Sequence, residues 1–217
     1  MKTNQDYKNA ALSVLRGNWA PAVVCAIVYV LLAIGISLIQ PSITSVGEIT
    51  GGMGVLLVVN LLLSIFVMAP LGIGFYQTFN LLYTEADNNL TSNLFKLTFG
   101  AYGRNLAGIL LMTLFVFLWS LLFIIPGLIQ SIAYSLTPYI LRDFPELSPN
   151  QAINLSKKMM KGHKFDYFWL ILSFIGWGLL CILTLGIGTL WLTPYTYTSF
   201  AAFYEDVKNE YLANSTL

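Results

Sequence analysis

Four long uncharged runs divide the chain, and short charged segments separate them. The runs are Gly17 to Gly47, Ile49 to Thr84, Asn105 to Leu141 and Tyr167 to Tyr204. A bilayer core requires roughly 20 apolar helical residues, so the last two runs are each long enough for two crossings. Pro126-Gly127 interrupts the third run and Gly186-Ile187-Gly188 the fourth, with residue types that end helices or permit tight turns. The pattern predicts an all-α protein with six transmembrane helices arranged as three hairpins.

An amphipathic segment precedes each predicted hairpin. In "SPNQAINLSKKMMKGHKFDYF", Ser148 is a suitable N-cap, Pro149 fits the first helical position and Gln151 completes a capping box. One stripe of this helix collects Ala152, Leu155, Ser156 and Met159, at helical spacing. The segments "DYKNAALSVLRGNW" and "LTSNLFKLTFGAYGRN" have a related pattern. We therefore predict short amphipathic helices on the cytoplasmic surface.

The order of surface helix, glycine beside a basic residue, and hairpin recurs along the chain. It predicts a single membrane domain, 1–217, built from three internal repeats at 5–83, 91–141 and 148–204. The alternative is that any hairpin protein with basic cytoplasmic loops shows the same order. The fourth span, Gly127 to Leu141, is short for a full crossing. It fits either a transporter-like substrate site or a helix buried against its neighbours.

Composition supports a membrane protein and sets its orientation. Only 10% of the residues are charged and 57% are hydrophobic, with a mean hydropathy of +0.72, whereas soluble domains average about 25% charged residues. Every Lys and Arg falls on one side of the predicted hairpins, and the opposite tips carry only Glu48. Because basic loops stay cytoplasmic, both termini are expected in the cytoplasm. Ala20 to Ile39 is too long for the core of a cleaved signal peptide, so we interpret it as a retained span.

The sequence contains little that points to catalysis. The predicted spans contain no Asp, Glu, Lys, Arg or His, the residues that form proton relays and catalytic pairs within membranes. Metalloprotease, P-loop and nucleotide-binding motifs are absent from the sequence. His163, the only histidine, has no second metal-ligand candidate nearby, and Cys25 and Cys181 fit as small apolar side chains. We expect a protein that is not an enzyme and that uses no metal, no cofactor and no nucleic-acid partner.

Two groups of residues are candidates for binding. The first is a cavity for an amphipathic or lipid-like ligand, lined by Gln77, Asn80, Gln130, Tyr134, Tyr195 and Tyr197. Hydrogen bonds that join helices are the alternative role for such residues. The second is a surface for lipid headgroups or a protein partner, formed by Lys157, Lys158, Lys161, His163 and Lys164. The alternative is that these charges only fix the membrane topology, because basic residues are expected on the cytoplasmic side.

The C-terminal half resembles a known family. The stretch "AINLSKKMMKGHKFDYFWLILSFIGWGLLCILTLGIGTLWLTPYTYTSFAAFYEDV", from Ala152 to Val207, with "IPGLIQSIAYSLTPYIL" upstream, resembles bacterial integral membrane proteins of domain-of-unknown-function family 975. The likeness extends over nearly the whole chain, although Gln130 stands where the family pattern has a Lys. The resemblance implies a Gram-positive cytoplasmic-membrane protein, and it transfers no reaction and no catalytic residue.

Together these observations predict a non-enzymatic membrane protein that binds lipids, a membrane-active peptide or another membrane protein, with a role in envelope protection. The alternative is a permease or exporter of a small amphipathic molecule. A homo-oligomer is compatible with either function.

Overall fold

The computed structural model describes residues 2–39 and 51–215, and within these ranges the chain is helical and contains no strand. The all-α prediction is therefore confirmed. The α-helices of the described ranges are α1 Asn4–Leu15, α2 Trp19–Ser37, α3 Gly51–Leu63, α4 Ala69–Glu85, α5 Leu90–Gly100, α6 Tyr102–Leu122, α7 Ile124–Ala133, α8 Thr137–Asp143, α9 Pro149–Met159, α10 Lys164–Leu172, α11 Ile175–Leu183 and α12 Thr189–Ser215. A π-helical segment, Ser64–Met68, joins α3 to α4.

Five helical segments of the described ranges are long and apolar enough to cross a membrane. They are Trp19–Ser37, Gly54–Glu85, Tyr102–Leu122, Ile124–Asp143 and Lys164–Leu183. Their outward faces expose many large apolar side chains, among them Leu31, Leu121 and Leu183, and such a surface requires lipid around it. Helix α12 is not among the five, because threonines, tyrosines and the charged residues from Glu205 onward lower its hydropathy. The layout of six spans in three hairpins stays a prediction.

The structure contains two of the three predicted hairpin turns. Helix α6 ends at Leu122, so the third run breaks just before Pro126, which lies in the first turn of α7. Gly127 faces Ser120 of α6 with no room for a Cβ atom, which allows the two helices to pack closely. The fourth run turns at Leu185 and Gly186, both with positive φ. The first hairpin tip, with Glu48, lies outside the described residues.

The predicted surface helices are present as α1, α5 and α9. Ser148 caps α9, and its hydroxyl and the Gln151 side chain form the predicted capping box. Thr3 and Asp6 form a second capping box at the start of α1. Gly162 has a φ of 97° in the turn that follows α9, a conformation that favours glycine.

The packing of the surface helices follows one rule around the bundle. Helix α5 packs on α4 and α2, α9 packs on α8 and α6, and α1 packs on α12 and α10. Each surface helix therefore lies against the hairpin that precedes it, and α1 completes the ring by packing on the last hairpin. The threefold repeat and its boundaries stay a prediction.

Three candidate spans are interrupted, and a side chain from another element bonds to a backbone group at each interruption. Tyr102 Oη donates to Phe66 O in the π-helical segment, at 2.7 Å. Ser156 Oγ of α9 donates to Ala133 O at 2.8 Å and accepts from the Leu136 amide at 3.2 Å, which bridges the break between α7 and α8. Lys8 Nζ of α1 donates to Ser173 O at 2.9 Å, between α10 and α11. Backbone groups without partners are costly in an apolar medium, so these contacts stabilise the breaks.

Candidate functional site

The six residues predicted to line a cavity are divided among different parts of the core. Gln77 Nε2 donates to Pro138 O at 3.0 Å and to Asn105 Oδ1 at 3.3 Å. Asn80 Nδ2 donates to Glu205 Oε1 at 3.0 Å. Both side chains therefore form hydrogen bonds that join helices, which is the alternative role expected for such residues.

The other four candidates lie elsewhere. Tyr197 packs against Tyr76, with ring centroids 4.6 Å apart, in the centre of the bundle. Tyr134 is buried near Phe115, and Gln130 is half-buried on α7. Tyr195 lines an apolar groove on the side of the bundle. A shared cavity for all six stays a prediction.

This apolar groove has a volume of about 490 Å³ and opens between α1, α2, α11 and α12. Its lining includes Trp19, Trp177 and Trp191 together with Leu180 and Tyr195. The sequence pattern did not reveal it, because its walls come from the two ends of the chain.

A partly buried cluster of charged residues joins α8 to α12. We call it the ion-pair cluster and define it as Arg142, Asp143, Glu205 and Lys208. Lys208 Nζ lies 2.7 Å from Asp143 Oδ2 and 2.6 Å from Glu205 Oε2. Arg142 Nε lies 2.9 Å from Asp143 Oδ1. The Asp143 side chain is only 11% exposed and that of Lys208 17%. Two cations thus face two carboxylates, so the cluster neutralises itself.

Neighbouring helices complete the bonding of this cluster. Tyr204 Oη donates to Asp143 Oδ2 at 2.9 Å, and Asn80 of α4 donates to Glu205. Arg142 also donates to Gln77 O at 3.3 Å. The cluster therefore links α4, α8 and α12, and its polar groups are occupied by one another. The sequence pattern does not reveal this cluster, because its members stand just outside the uncharged runs and far apart along the chain.

Lys8 is a second buried cation that the sequence pattern did not place. Its side chain lies against Ser173 inside the candidate span Lys164–Leu183, with Nζ 4.5 Å from the centroid of the Phe174 ring. Burial lowers the pKa of the Lys8 ammonium. The candidate spans carry charged residues only near their ends, such as Lys164 and Asp166 in this one, whereas α1 places a charge beside Ser173 in its middle.

Four of the five predicted surface residues line one groove along the outer face of α9. We call it the lysine groove: it has a volume of about 760 Å³ and is lined by Leu147, Gln151, Asn154, Leu155, Lys157, Lys158, Lys161 and Lys164. The opposite face of α9 is buried, with Ala152, Ser156 and Met159 in the core. One short helix therefore separates a packed inner face from a basic outer face.

The lysines of this groove differ from the buried cations in their partners. Lys157, Lys158 and Lys161 are exposed, and Lys164 is half-buried. Within residues 2–39 and 51–215, no carboxylate lies within 4.0 Å of any of these four ammonium groups. Their charge is therefore available to an external anion.

His163, the fifth predicted residue, is directed away from the lysine groove. Its Nε2 lies 3.3 Å from Glu210 Oε1 of α12, and its Nδ1 lies 3.8 Å from Asp166 Oδ2. The imidazole therefore lies between the turn after α9 and the last helix. Among the described residues, no group of three or more His, Cys, Asp and Glu side chains is arranged to hold a metal ion.

Exposed aromatic residues follow Lys164 of the lysine groove at the start of α10. Phe165, Phe168 and Trp169 are 64%, 39% and 49% exposed. Their rings form one patch, with Phe165 and Trp169 centroids 5.6 Å apart. Tryptophan is one of the residues that concentrate where a protein crosses from lipid to headgroups. The patch is thus an exposed aromatic surface on the same helix as one of the groove lysines.

The five candidate spans and their exposed apolar faces define a multi-pass helical membrane protein. Residues 123–211 match the family model described as "Protein of unknown function (DUF975)". The resemblance to domain-of-unknown-function family 975 is therefore confirmed over these residues, which contain both the lysine groove and the ion-pair cluster. No curated protein and no solved structure matches the chain.

Proposed function

We propose that this chain is a non-enzymatic protein of the bacterial cytoplasmic membrane that binds anionic lipid headgroups in its lysine groove. Its six spans form three hairpins, with both termini in the cytoplasm. The observation that carries the proposal is the set of four lysines lining one groove without a carboxylate partner among the described residues. Membrane-active peptides and membrane-protein partners are the other occupants of the same surface, and a role in envelope protection accommodates all three.

Two physical considerations favour lipid as the occupant. Each basic residue near an anionic leaflet contributes roughly 1 kcal/mol of attraction, so a cluster of lysines gives substantial binding without a deep pocket. The aromatic patch of Phe165, Phe168 and Trp169 lies where acyl chains begin if the lysines are at the headgroups. A soluble anion would not use this patch.

Native mass spectrometry of the purified protein in neutral detergent tests the proposal. Titration with short-chain phosphatidylglycerol should give bound lipid, and equal titration with short-chain phosphatidylcholine should give little. A variant in which all four groove lysines are changed to Gln should bind the two lipids equally weakly. Equal binding of both lipids by the unaltered protein would exclude the lysine groove as an anionic-lipid site. The same spectra report whether the chain is a monomer or a homo-oligomer.

The alternative is a permease or exporter of a small amphipathic molecule. Two observations favour it: the spans Ile124–Asp143 and Lys164–Leu183 are interrupted, as in many transporters, and the apolar groove opens on the side of the bundle. Proteoliposomes that contain fluorescently labelled phosphatidylglycerol distinguish the two functions. A transporter should expose inner-leaflet label to an external quencher faster than empty vesicles do, and a binding protein should not change that rate.

A further inference from the structure

We propose that the lysine groove recognises a lipid headgroup that carries two phosphates joined by a short bridge. This inference rests on the proposed function, because it assumes that the groove binds an anionic lipid. It goes further by assigning the class of headgroup.

The spacing of the lysines is the first argument. Lys157 and Lys158 lie in the last turn of α9, Lys161 lies in the turn that follows, and Lys164 is the first residue of α10; all four line the groove. The groove thus presents two neighbouring pairs of ammonium groups, one at the end of α9 and one at the turn into α10, and each pair can hold one phosphate.

Charge balance is the second argument. Like charges held close together repel, and like charges one helical turn apart destabilise a helix. A headgroup with one phosphate neutralises one of the four lysines and leaves three repelling one another. A headgroup with two phosphates neutralises half of the charge, and each phosphate contacts two cations. The four-lysine groove is therefore better matched by two linked phosphates than by one.

The remaining lining of the groove fits the same ligand. Gln151 uses Oε1 to accept from the Ser148 amide, at 2.8 Å, and this leaves its amide N–H groups as donors. Asn154 is exposed on the same face. Leu147 and Leu155 supply an apolar surface for the bridge between the phosphates. The aromatic patch follows Lys164 on α10 and supplies an exposed surface for acyl chains, so the site suits a lipid better than a soluble diphosphate or a phosphopeptide.

The test compares two lipids at equal phosphate concentration. Native mass spectrometry in neutral detergent measures binding of cardiolipin, which has two phosphates joined by glycerol, against twice as many molecules of phosphatidylglycerol, which has one. We expect at least about tenfold tighter binding of cardiolipin, the factor that corresponds to a preference of about 1.4 kcal/mol.

Matched variants connect this preference to the groove. Lys157→Gln/Lys161→Gln removes one member of each lysine pair. Arg16→Gln/Lys96→Gln removes the same charge from two exposed positions outside the groove. The groove variant should lose the preference for cardiolipin, and the control should keep it. Lys157→Arg/Lys161→Arg, which retains the charge, should keep most of it. The melting temperature of each variant verifies that the fold is intact.

The outcomes separate this inference from the proposed function. If both lipids bind equally well at matched phosphate concentration, and the groove variant binds neither, the two-phosphate site is overturned and anionic-lipid binding stays in place. Failure to bind either lipid would overturn both. Tight binding of soluble inorganic diphosphate, or of a phosphorylated peptide, in preference to cardiolipin would also overturn the assignment to a lipid. Loss of the preference in the Arg16→Gln/Lys96→Gln control would show that it arises from net charge alone.

Discussion

The lysine groove and the ion-pair cluster use similar charged side chains for opposite purposes. In the cluster, Lys208 is largely buried and lies within 3 Å of two carboxylates. In the groove, Lys157, Lys158 and Lys161 are exposed, and no carboxylate of the described residues lies within 4.0 Å of their ammonium groups. A buried charge must be neutralised inside the protein because its desolvation is costly. An exposed charge has no such requirement, so an exposed lysine without a carboxylate partner can bind an anionic ligand.

The comparison separates residues that hold the bundle together from residues that are available for binding. The cluster links α4, α8 and α12, and changes there should alter stability. The groove follows the outer face of α9, and changes there should alter affinity. The inner face of the same helix, with Ser156 at the α7–α8 break, belongs with the cluster in this division.

The largest effect is expected from Asp143→Asn. Among the described residues, the substitution removes the only carboxylate within 4.0 Å of Arg142 and leaves Lys208 paired with Glu205 alone. Removing one partner of a fully buried pair typically costs about 3–5 kcal/mol of unfolding free energy. Because this cluster is only partly buried, we expect a loss near the lower end of that range, measured as a lower melting temperature in detergent. The double variant Asp143→Leu/Lys208→Met removes one charge of each sign and should recover part of the loss. A double variant less stable than the single one would contradict this account of the cluster.

A smaller effect, on affinity and not on stability, is expected from Lys157→Gln/Lys161→Gln. Two lost charges correspond to about 2 kcal/mol, or roughly 30-fold weaker binding to anionic vesicles. Because these side chains are exposed and unpaired, the melting temperature should stay nearly unchanged. Raising the salt concentration should reduce the difference between the two proteins. A large fall in melting temperature would show that the groove is structural after all.

Ser156→Ala tests the inner face of α9. The substitution leaves Ala133 O and the Leu136 amide without their described side-chain partner, and each unsatisfied buried group costs about 1–3 kcal/mol before relaxation. We expect a net loss of about 1–2 kcal/mol by thermal denaturation, with unchanged affinity for anionic lipid. Ser148→Ala on the exposed N-cap is the matched control, with an expected loss near 1 kcal/mol. Weaker lipid binding by Ser156→Ala, with intact stability, would break the proposed division between the two faces.

The smallest effect concerns Lys8, a buried cation bonded to a carbonyl. Its pKa is lowered by burial, so the unfolded chain binds this proton more tightly than the folded protein does. The unfavourable contribution of Lys8 to the free energy of folding is fully present at low pH. It diminishes as the pH rises toward the pKa of a lysine in the unfolded chain, about 10.4. Relative to Lys8→Met, the unaltered protein should therefore gain stability as the pH is raised from 8 to 10. Parallel stability curves for the two proteins would contradict this prediction.

Local signals in the sequence predicted much of the fold. Ser148, Pro149 and Gln151 gave the start of α9 because a capping box involves only adjacent residues. Gly186 marked the last hairpin turn for the same reason. The breaks at Tyr134 to Leu136 and at Ser173 were not predicted, because Ser156 and Lys8, which stabilise them, lie far away along the chain.

The sequence likewise predicted one part of the candidate site and not the other. The lysine groove was anticipated because its four lysines are close together in sequence, in the last turn of α9, the turn after it and the first residue of α10. The ion-pair cluster was missed because Asp143 and Lys208 meet only when α8 packs near α12. His163 was placed in the right segment, but its contact with Glu210 depends on the position of the last helix.

The packing of α1 on α12 also has a consequence for biogenesis. Helix α1 leaves the ribosome before the hairpins are made, whereas its partner is synthesised last. Tyr7 can form its 2.7 Å hydrogen bond with Asp206 only after all the intervening spans have been inserted. Until then, the buried face of α1 is open to chaperones and proteases. The contact between α1 and α12 therefore forms only after the segments between these two helices have been made.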